Sequence, residues 1–124
     1  MYEDLYKSIC DAYSRISPDI VKTPMTKSEQ FSQQFQCSLY LKMEHQQRTG
    51  SFKLRGAHNK VSILSKSLKT KSGKMKTIVT ASTGNHGLAC LDAMSRYNVR
   101  GKIAVPETIS QVIIICQESV KMLT

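Results

Sequence analysis

The sequence predicts an α/β fold, in which a parallel sheet is covered by helices on both faces. Short β-branched runs alternate with apolar stripes at helical spacing, which is typical of strand–helix–strand units. The 124 residues are enough for about one domain with one core. Hydrophobic residues make up 40% of the chain and charged residues 22%, which favours a globular protein over a disordered one.

The N-terminal part of the chain predicts two helices. Apolar residues fall on one helical stripe between residues 4 and 16, and the Ser17-Pro18 dipeptide ends that helix. Thr26 is predicted to cap the second helix, because Glu29 follows three residues later as in a capping box.

The rest of the chain predicts three strands separated by helices. Residues 38–44, 77–81 and 102–105 have the composition of strands. Residues 51–68 carry the apolar stripe of one helix, and another long helix follows residues 82–87. This order predicts a three-stranded parallel sheet, in which the last two strands are neighbours.

Basic residues are concentrated in the middle of the chain. The formal net charge is +9, and between Glu44 and Asp92 there are nine lysines and arginines but no acidic residue. Such a block is compatible with nucleic-acid binding, with anionic ligands or with a solvated helix face. We favour the solvated face, because the block ends in a Lys-rich segment typical of an exposed turn.

Membrane, secreted and metal-binding proteins are not expected. The longest apolar run, residues 112–116, is far shorter than the roughly 20 residues of a membrane span. The acidic N-terminus lacks the pattern of a secretory signal, so we expect a cytoplasmic protein. No C-x-x-C or H-E-x-x-H motif is present. We expect free thiols, mostly in the core, at Cys10, Cys37, Cys90 and Cys116.

Residues 49–57 (TGSFKLRGA) place a lysine at the start of a helix. Lys53 falls in the first turn, and Phe52 precedes it. A lysine amine so placed can attack an aldehyde and form a Schiff base. The alternative is a solvated lysine in a stretch that is already rich in lysine.

Residues 82–87 (STGNHG) lie where a strand gives way to a helix. Backbone N–H groups at a helix N-terminus, with hydroxyl and amide groups beside them, can bind a carboxylate or a phosphate. The alternative is a glycine-rich turn with a capping serine. His86 by itself is typical of a hydrogen-bonded turn residue rather than a base or a metal ligand.

Together, and in this order, the two segments resemble the threonine/serine dehydratase and serine racemase group of pyridoxal-phosphate enzymes, which have the tryptophan-synthase-β-like fold. The resemblance also includes Thr23-Pro24, residues 41–47 and residues 105–108, and so most of the chain. It implies that residues 1–124 are the N-terminal part of such a domain. It also implies pyridoxal 5'-phosphate as cofactor and a small amino acid as substrate.

The resemblance implies roles for individual residues. Lys53 would carry the Schiff base with pyridoxal phosphate, and Phe52 would pack on the cofactor ring. Asn85 would hydrogen-bond the phenolic oxygen of that ring. The substrate carboxylate would be held by Ser82, Asn85 and His86.

Thr83 would complete the substrate site and bears on the reaction. It falls where racemases of the group carry serine and many dehydratases carry alanine. Threonine keeps a hydroxyl but adds a methyl group, so the resemblance favours loss of water from L-threonine or L-serine, giving a 2-oxo acid and ammonia. Lys53 would remove the α-proton. We expect a homo-oligomer at full length, and neither nucleic acid nor membrane as a partner.

The chain also departs from the family pattern. Relatives carry a proline and a lysine after residues 106–108, whereas this chain has Ser110 and Ile113. In the family, the glycine-rich phosphate loop lies beyond the position of Thr124, so we expect a fragment with little turnover of its own. Two alternatives stay open: a non-catalytic remnant that binds a full-length partner, and a basic nucleic-acid-binding module that uses residues 84–87 as a GxxG loop.

Overall fold

The computed structural model describes residues 2–67 and 77–106. Within these ranges the helices are α1 (Tyr2–Ile16), α2 (Glu29–Phe35), α3 (Lys53–Ser67) and α4 (Asn85–Arg96). The strands are β1 (Met25–Lys27), β2 (Tyr40–Lys42), β3 (Ile78–Ala81) and β4 (Gly101–Ala104). The Lys-rich turn and the departures at Ser110 and Ile113 lie outside the described residues.

The strands β3 and β4 form a parallel pair. Ile78 lies opposite Gly101, and Ala81 lies opposite Ala104. The helix α4 connects the two strands, as parallel neighbours require a crossover rather than a tight turn. The predicted parallel pairing of these two strands is confirmed.

The strand predicted at residues 38–44 does not join this sheet. It is shortened to β2, which pairs antiparallel with β1, a strand that we did not predict. All residues of both strands are exposed, so β2 has no buried face with which to enter a parallel sheet. Thr26 lies inside β1, and the helix cap is instead Ser28, whose hydroxyl accepts a hydrogen bond from the backbone N–H of Phe31.

The helix α1 forms as predicted, but most of its apolar stripe is exposed. Leu5 and Ile9 each retain 57% exposure, and Ile16 is the buried residue of the helix. Arg15 joins α1 to α3 through two hydrogen bonds to Asn59 Oδ1, at 3.1 and 3.0 Å. The periodicity therefore predicted the helix without predicting a buried partner for it.

The hydrophobic core lies where α3, α4 and β4 meet. Ala57 and Val61 of α3 pack in one cluster with Leu91 and Met94 of α4 and with Ile103 of β4. The four helical positions among them belong to the apolar stripes that the sequence predicted for the two long helices. The core thus fixes α3 against α4, and the first residues of these two helices belong to the segments singled out above.

Three of the four cysteines fall in the described residues. Cys90 is buried in the core, but Cys10 and Cys37 are exposed free thiols, so a mainly buried location was wrong for those two. Cys10 lies on α1, most of which is exposed, and Cys37 lies in the connection between α2 and β2. Among the described residues, no helix is long and apolar enough to cross a membrane, and no cluster of side chains could hold a metal ion.

Candidate active site

Lys53 is the first residue of α3, and its side chain is exposed. Its Nζ lies 4.9 Å from the centroid of the Phe52 ring, which is itself 59% exposed. Within the first turn, the backbone N–H of Lys53 donates to Ser51 Oγ at 3.3 Å. An exposed primary amine therefore stands beside an exposed aromatic face, an arrangement that a flat aldehyde could approach from solvent.

A mostly buried ion pair holds the other side of the same turn. Arg55 donates from Nε to Glu44 Oε2 at 2.9 Å and from Nη2 to Glu44 Oε1 at 2.7 Å. Thr23 Oγ1 donates to the same carboxylate at 2.5 Å. The hydrogen bonds from Arg55 outweigh burial and lower the pKa of Glu44 to about 2, so the carboxylate is charged at neutral pH.

Hydrogen bonds connect residues 21–23, before β1, to Lys42 in β2 and to Gln47 beyond it. The side-chain amide of Gln47 donates to Val21 O at 2.7 Å and accepts from Val21 N at 3.0 Å. Lys42 Nζ donates to Thr23 O at 2.6 Å. These contacts join residues that are 19 to 26 positions apart, so local sequence patterns give no signal for them.

Ser82 organises the start of α4. Its Oγ accepts hydrogen bonds from the backbone N–H groups of Gly84 at 3.3 Å and Gly87 at 2.9 Å. A serine hydroxyl that accepts two bonds keeps its own proton as a donor. Ser82 is half-buried, and Asn85 is the first residue of the helix. Gly84 is the N-cap residue of α4, and Ser82, two residues earlier, binds the backbone of this first turn with a hydroxyl proton still to donate.

The other predicted residues of this loop face solvent. Thr83, Asn85 and His86 are all exposed. His86 Nε2 lies 3.2 Å from Thr80 Oγ1 and 3.5 Å from Cys90 Sγ. His86 is the second residue of α4, and its Nε2 lies close to two neighbouring side chains.

The helices α3 and α4 pack against each other. His58 Nε2 in α3 lies 2.6 Å from Asp92 Oδ2 in α4. The His58 ring also lies 5.6 Å from the ring of Tyr97, the residue that follows α4. The helices that begin at Lys53 and Asn85 are therefore joined by polar and aromatic contacts as well as by the core.

A separate cleft of about 750 Å³ runs along another part of α4. Its lining residues are Arg48, Thr49, Leu88, Leu91, Asp92, Ser95 and Arg96. None of the residues predicted to hold a cofactor or substrate lines it. Within the cleft Arg48 donates to Asp92 at 2.7 Å, so one carboxylate joins the cleft wall to the buried His58.

The chain has clear relatives among known proteins. Residues 16–123 match the family model described as pyridoxal-phosphate dependent enzyme. Over 99 residues the chain is 38% identical to the catabolic L-threonine dehydratase of Escherichia coli K12, covering 80% of this chain and 29% of that protein. The chain thus spans less than a third of that relative.

Solved structures of similar proteins superpose on this chain. The serine racemase of Dictyostelium discoideum superposes with a TM-score of 0.81 at 35% identity, over 94% of this chain and 37% of that one. The processed threonine deaminase isoform 2 of Solanum lycopersicum superposes with a TM-score of 0.78 at 30% identity, over 98% of this chain and 33% of that one.

Proposed function

Since the chain belongs to the family of pyridoxal-phosphate dependent enzymes, we propose that it serves the removal of water from L-threonine or L-serine, which yields a 2-oxo acid and ammonia. Its fold is the tryptophan-synthase-β-like α/β fold that the sequence predicted. Similarity to a threonine dehydratase and to a threonine deaminase supports this reaction. The similar serine racemase makes inversion at the α-carbon the competing reaction.

The donor groups at the start of α3 and α4 fit pyridoxal phosphate. Lys53 offers an exposed primary amine for the cofactor aldehyde, and Phe52 offers an aromatic face 4.9 Å from that amine. Asn85 offers an exposed amide to the phenolic oxygen. When bound, the cofactor supplies an electron sink for the charge left on the substrate α-carbon.

Residues 82–87 are the proposed site for the substrate carboxylate. Ser82 has a hydroxyl proton to donate, and the start of α4 presents backbone N–H groups with the positive end of the helix dipole. Asn85 and His86 expose further polar atoms on the same turn. A carboxylate held there would lie at the start of α4, the helix that packs against α3.

Lys53 has two proposed tasks. Its Nζ would hold the cofactor and, when free, would remove the α-proton of the substrate as general base. The first turn of α3 contains no acidic residue, so no neighbouring carboxylate within that turn keeps the amine in an ion pair. Loss of the β-hydroxyl as water, followed by hydrolysis, then releases the 2-oxo acid and ammonia.

Thr83 bears on the choice between the two reactions. It is exposed on the loop proposed to bind the substrate, so its hydroxyl and methyl groups lie outside the core. A methyl group beside the hydroxyl restricts the rotation that a proton-transfer group needs. We therefore place elimination ahead of racemisation.

One observation carries this proposal: the exposed Lys53 amine stands beside the Phe52 ring at the start of α3, which packs in one core with α4, the helix that follows residues 82–84. The test is to incubate the chain with pyridoxal phosphate, reduce with borohydride and map the modified lysines by mass spectrometry. We expect Lys53 to be modified in preference to the other lysines. Lys53→Ala should abolish that product, whereas Lys60→Ala, at an exposed site on the same helix, should leave it intact.

Product analysis completes the test. L-threonine and L-serine should give 2-oxo acids rather than D-amino acids. We expect turnover by the 124 residues alone to be small, because misplacement of a cofactor by about 1 Å costs on the order of a hundredfold in rate. Uniform modification of all lysines would overturn the assignment of Lys53, and D-amino acid formation would overturn the choice of reaction.

A further inference from the structure

We infer that Glu44 and Arg55 are positioning residues for Lys53. Neither is proposed to touch the cofactor or the substrate. The pair ties the first turn of α3 to the segment that follows β2, and this connection holds the Lys53 amine in place. The inference rests on the proposed function and extends it to residues that the sequence associated only with a family pattern.

Helix geometry places the Glu44–Arg55 pair and the Lys53 amine on opposite sides of one turn. Successive residues of an α-helix are about 100° apart, so Arg55 points about 200° away from Lys53. Leu54, between them, is fully buried. With Arg55 held by Glu44 and Leu54 in the interior, the Lys53 side chain is directed outward.

The Glu44–Arg55 pair is held rigidly, because further hydrogen bonds fix the residues around it. Arg55 donates two hydrogen bonds to the Glu44 carboxylate, which is the strong bidentate geometry for such a pair. Thr23, which is 3% exposed, fixes one oxygen of that carboxylate at 2.5 Å. Lys42 in turn holds the Thr23 carbonyl at 2.6 Å.

The backbone of the same turn is held more weakly. The N–H groups of Lys53 and Leu54 donate to Ser51 at 3.3 and 3.4 Å, longer than the usual 2.9–3.0 Å. Leu54 is buried, but the residues of α3 that belong to the main core cluster are Ala57 and Val61, further along the helix. Loss of the ion pair is therefore expected to loosen the first turn while the body of the helix stays packed against α4.

The test compares the yield of borohydride-trapped pyridoxal phosphate at Lys53 with the yield at Lys60 of the same molecule. In Glu44→Gln and in Arg55→Lys, we expect the Lys53:Lys60 ratio to fall by about tenfold, because a small displacement is enough to lose a productive geometry. The matched control is Glu29→Gln, which removes the exposed pair with Lys27 and should leave the ratio unchanged.

Amide hydrogen exchange gives a second readout that needs no cofactor. In Glu44→Gln, residues 53–55 should exchange faster while residues 57–61 keep their protection. An unchanged ratio in both variants, with Lys53 still preferred in the parent chain, would overturn the inference and leave the proposed function intact. Equal loss at Lys53 and Lys60 would show a merely structural pair and also overturn it. No preference for Lys53 in the parent chain would overturn both.

Discussion

Gly101 in β4 lies against the side chain of Met94 in α4, with no room for a methyl group between them. A Cβ added at Gly101 would overlap Met94 Sδ. Met94 is 1% exposed, so its side chain is enclosed by the core and has little space into which to move. This contact sets how closely the helix approaches the parallel strands.

Gly101→Ala should therefore lower the free energy of unfolding by about 1–3 kcal/mol, the usual cost of overpacking. The control is Gly56→Ala on the exposed side of α3, where a Cβ would meet nothing within 4 Å. That variant should gain about 0.5–1 kcal/mol, because alanine favours a helix over glycine. Urea denaturation measures both. An unchanged stability for Gly101→Ala would contradict the tight contact.

Asp92→Asn should destabilise the packing of α3 on α4. Asp92 Oδ2 accepts from Arg48 at 2.7 Å and lies 2.6 Å from Nε2 of the fully buried His58. Removing the charge weakens both interactions, and we expect a loss of about 1–3 kcal/mol in the free energy of unfolding. Glu29→Gln, at an exposed ion pair, should change it little. Equal effects from the two substitutions would argue against a special role for Asp92.

Glu44 should make the stability of the chain acid-sensitive. Its pKa is about 2 in the folded chain, against an ordinary value of 4.5, chiefly because of the hydrogen bonds from Arg55. Since folding lowers this pKa, the stabilisation is complete above about pH 4.5 and is lost as the pH falls towards 2. At about 1.4 kcal/mol per pKa unit, the difference corresponds to roughly 3 kcal/mol.

The measurement is the free energy of unfolding at pH 6 and pH 3, in the parent chain and in Glu44→Gln. The parent chain should lose more stability than the variant. Some acid sensitivity should persist in the variant: burial opposes ionisation of Asp19, but hydrogen bonds from Arg96 and Tyr97 still lower its pKa. Parallel losses in the two proteins would be inconsistent with an ionised, hydrogen-bonded Glu44.

The cysteines should differ in their reaction with thiol reagents. Burial raises the pKa of the Cys90 thiol, which lowers the fraction of reactive thiolate, and the core also shields it. Cys10 and Cys37 are exposed. A short pulse of iodoacetamide followed by peptide mapping should label these two first and Cys90 only after denaturant is added. Rapid labelling of Cys90 in native buffer would contradict its burial.

The sequence predicted both long helices, because each follows a turn and begins an apolar stripe. It started one helix at Ser51 rather than Lys53 and the other after residue 87 rather than at Asn85. It could not predict the pairing of β2, since a three-residue strand has too little periodicity to specify a neighbour. The Glu44–Arg55 pair also escaped prediction. Ion pairing depends on how two segments approach each other in space, and periodicity within one element carries no such information.

The location of the core has a consequence for synthesis on the ribosome. The cluster extends from Ala57 in α3 to Ile103 in β4, so its first and last members emerge 46 residues apart. A nascent chain that ends before β4 exposes the apolar side of α4 and has no strand to pair with β3. Glu44, which anchors the first turn of α3, is synthesised first, yet the core that α3 joins gains Ile103 only when β4 has left the exit tunnel.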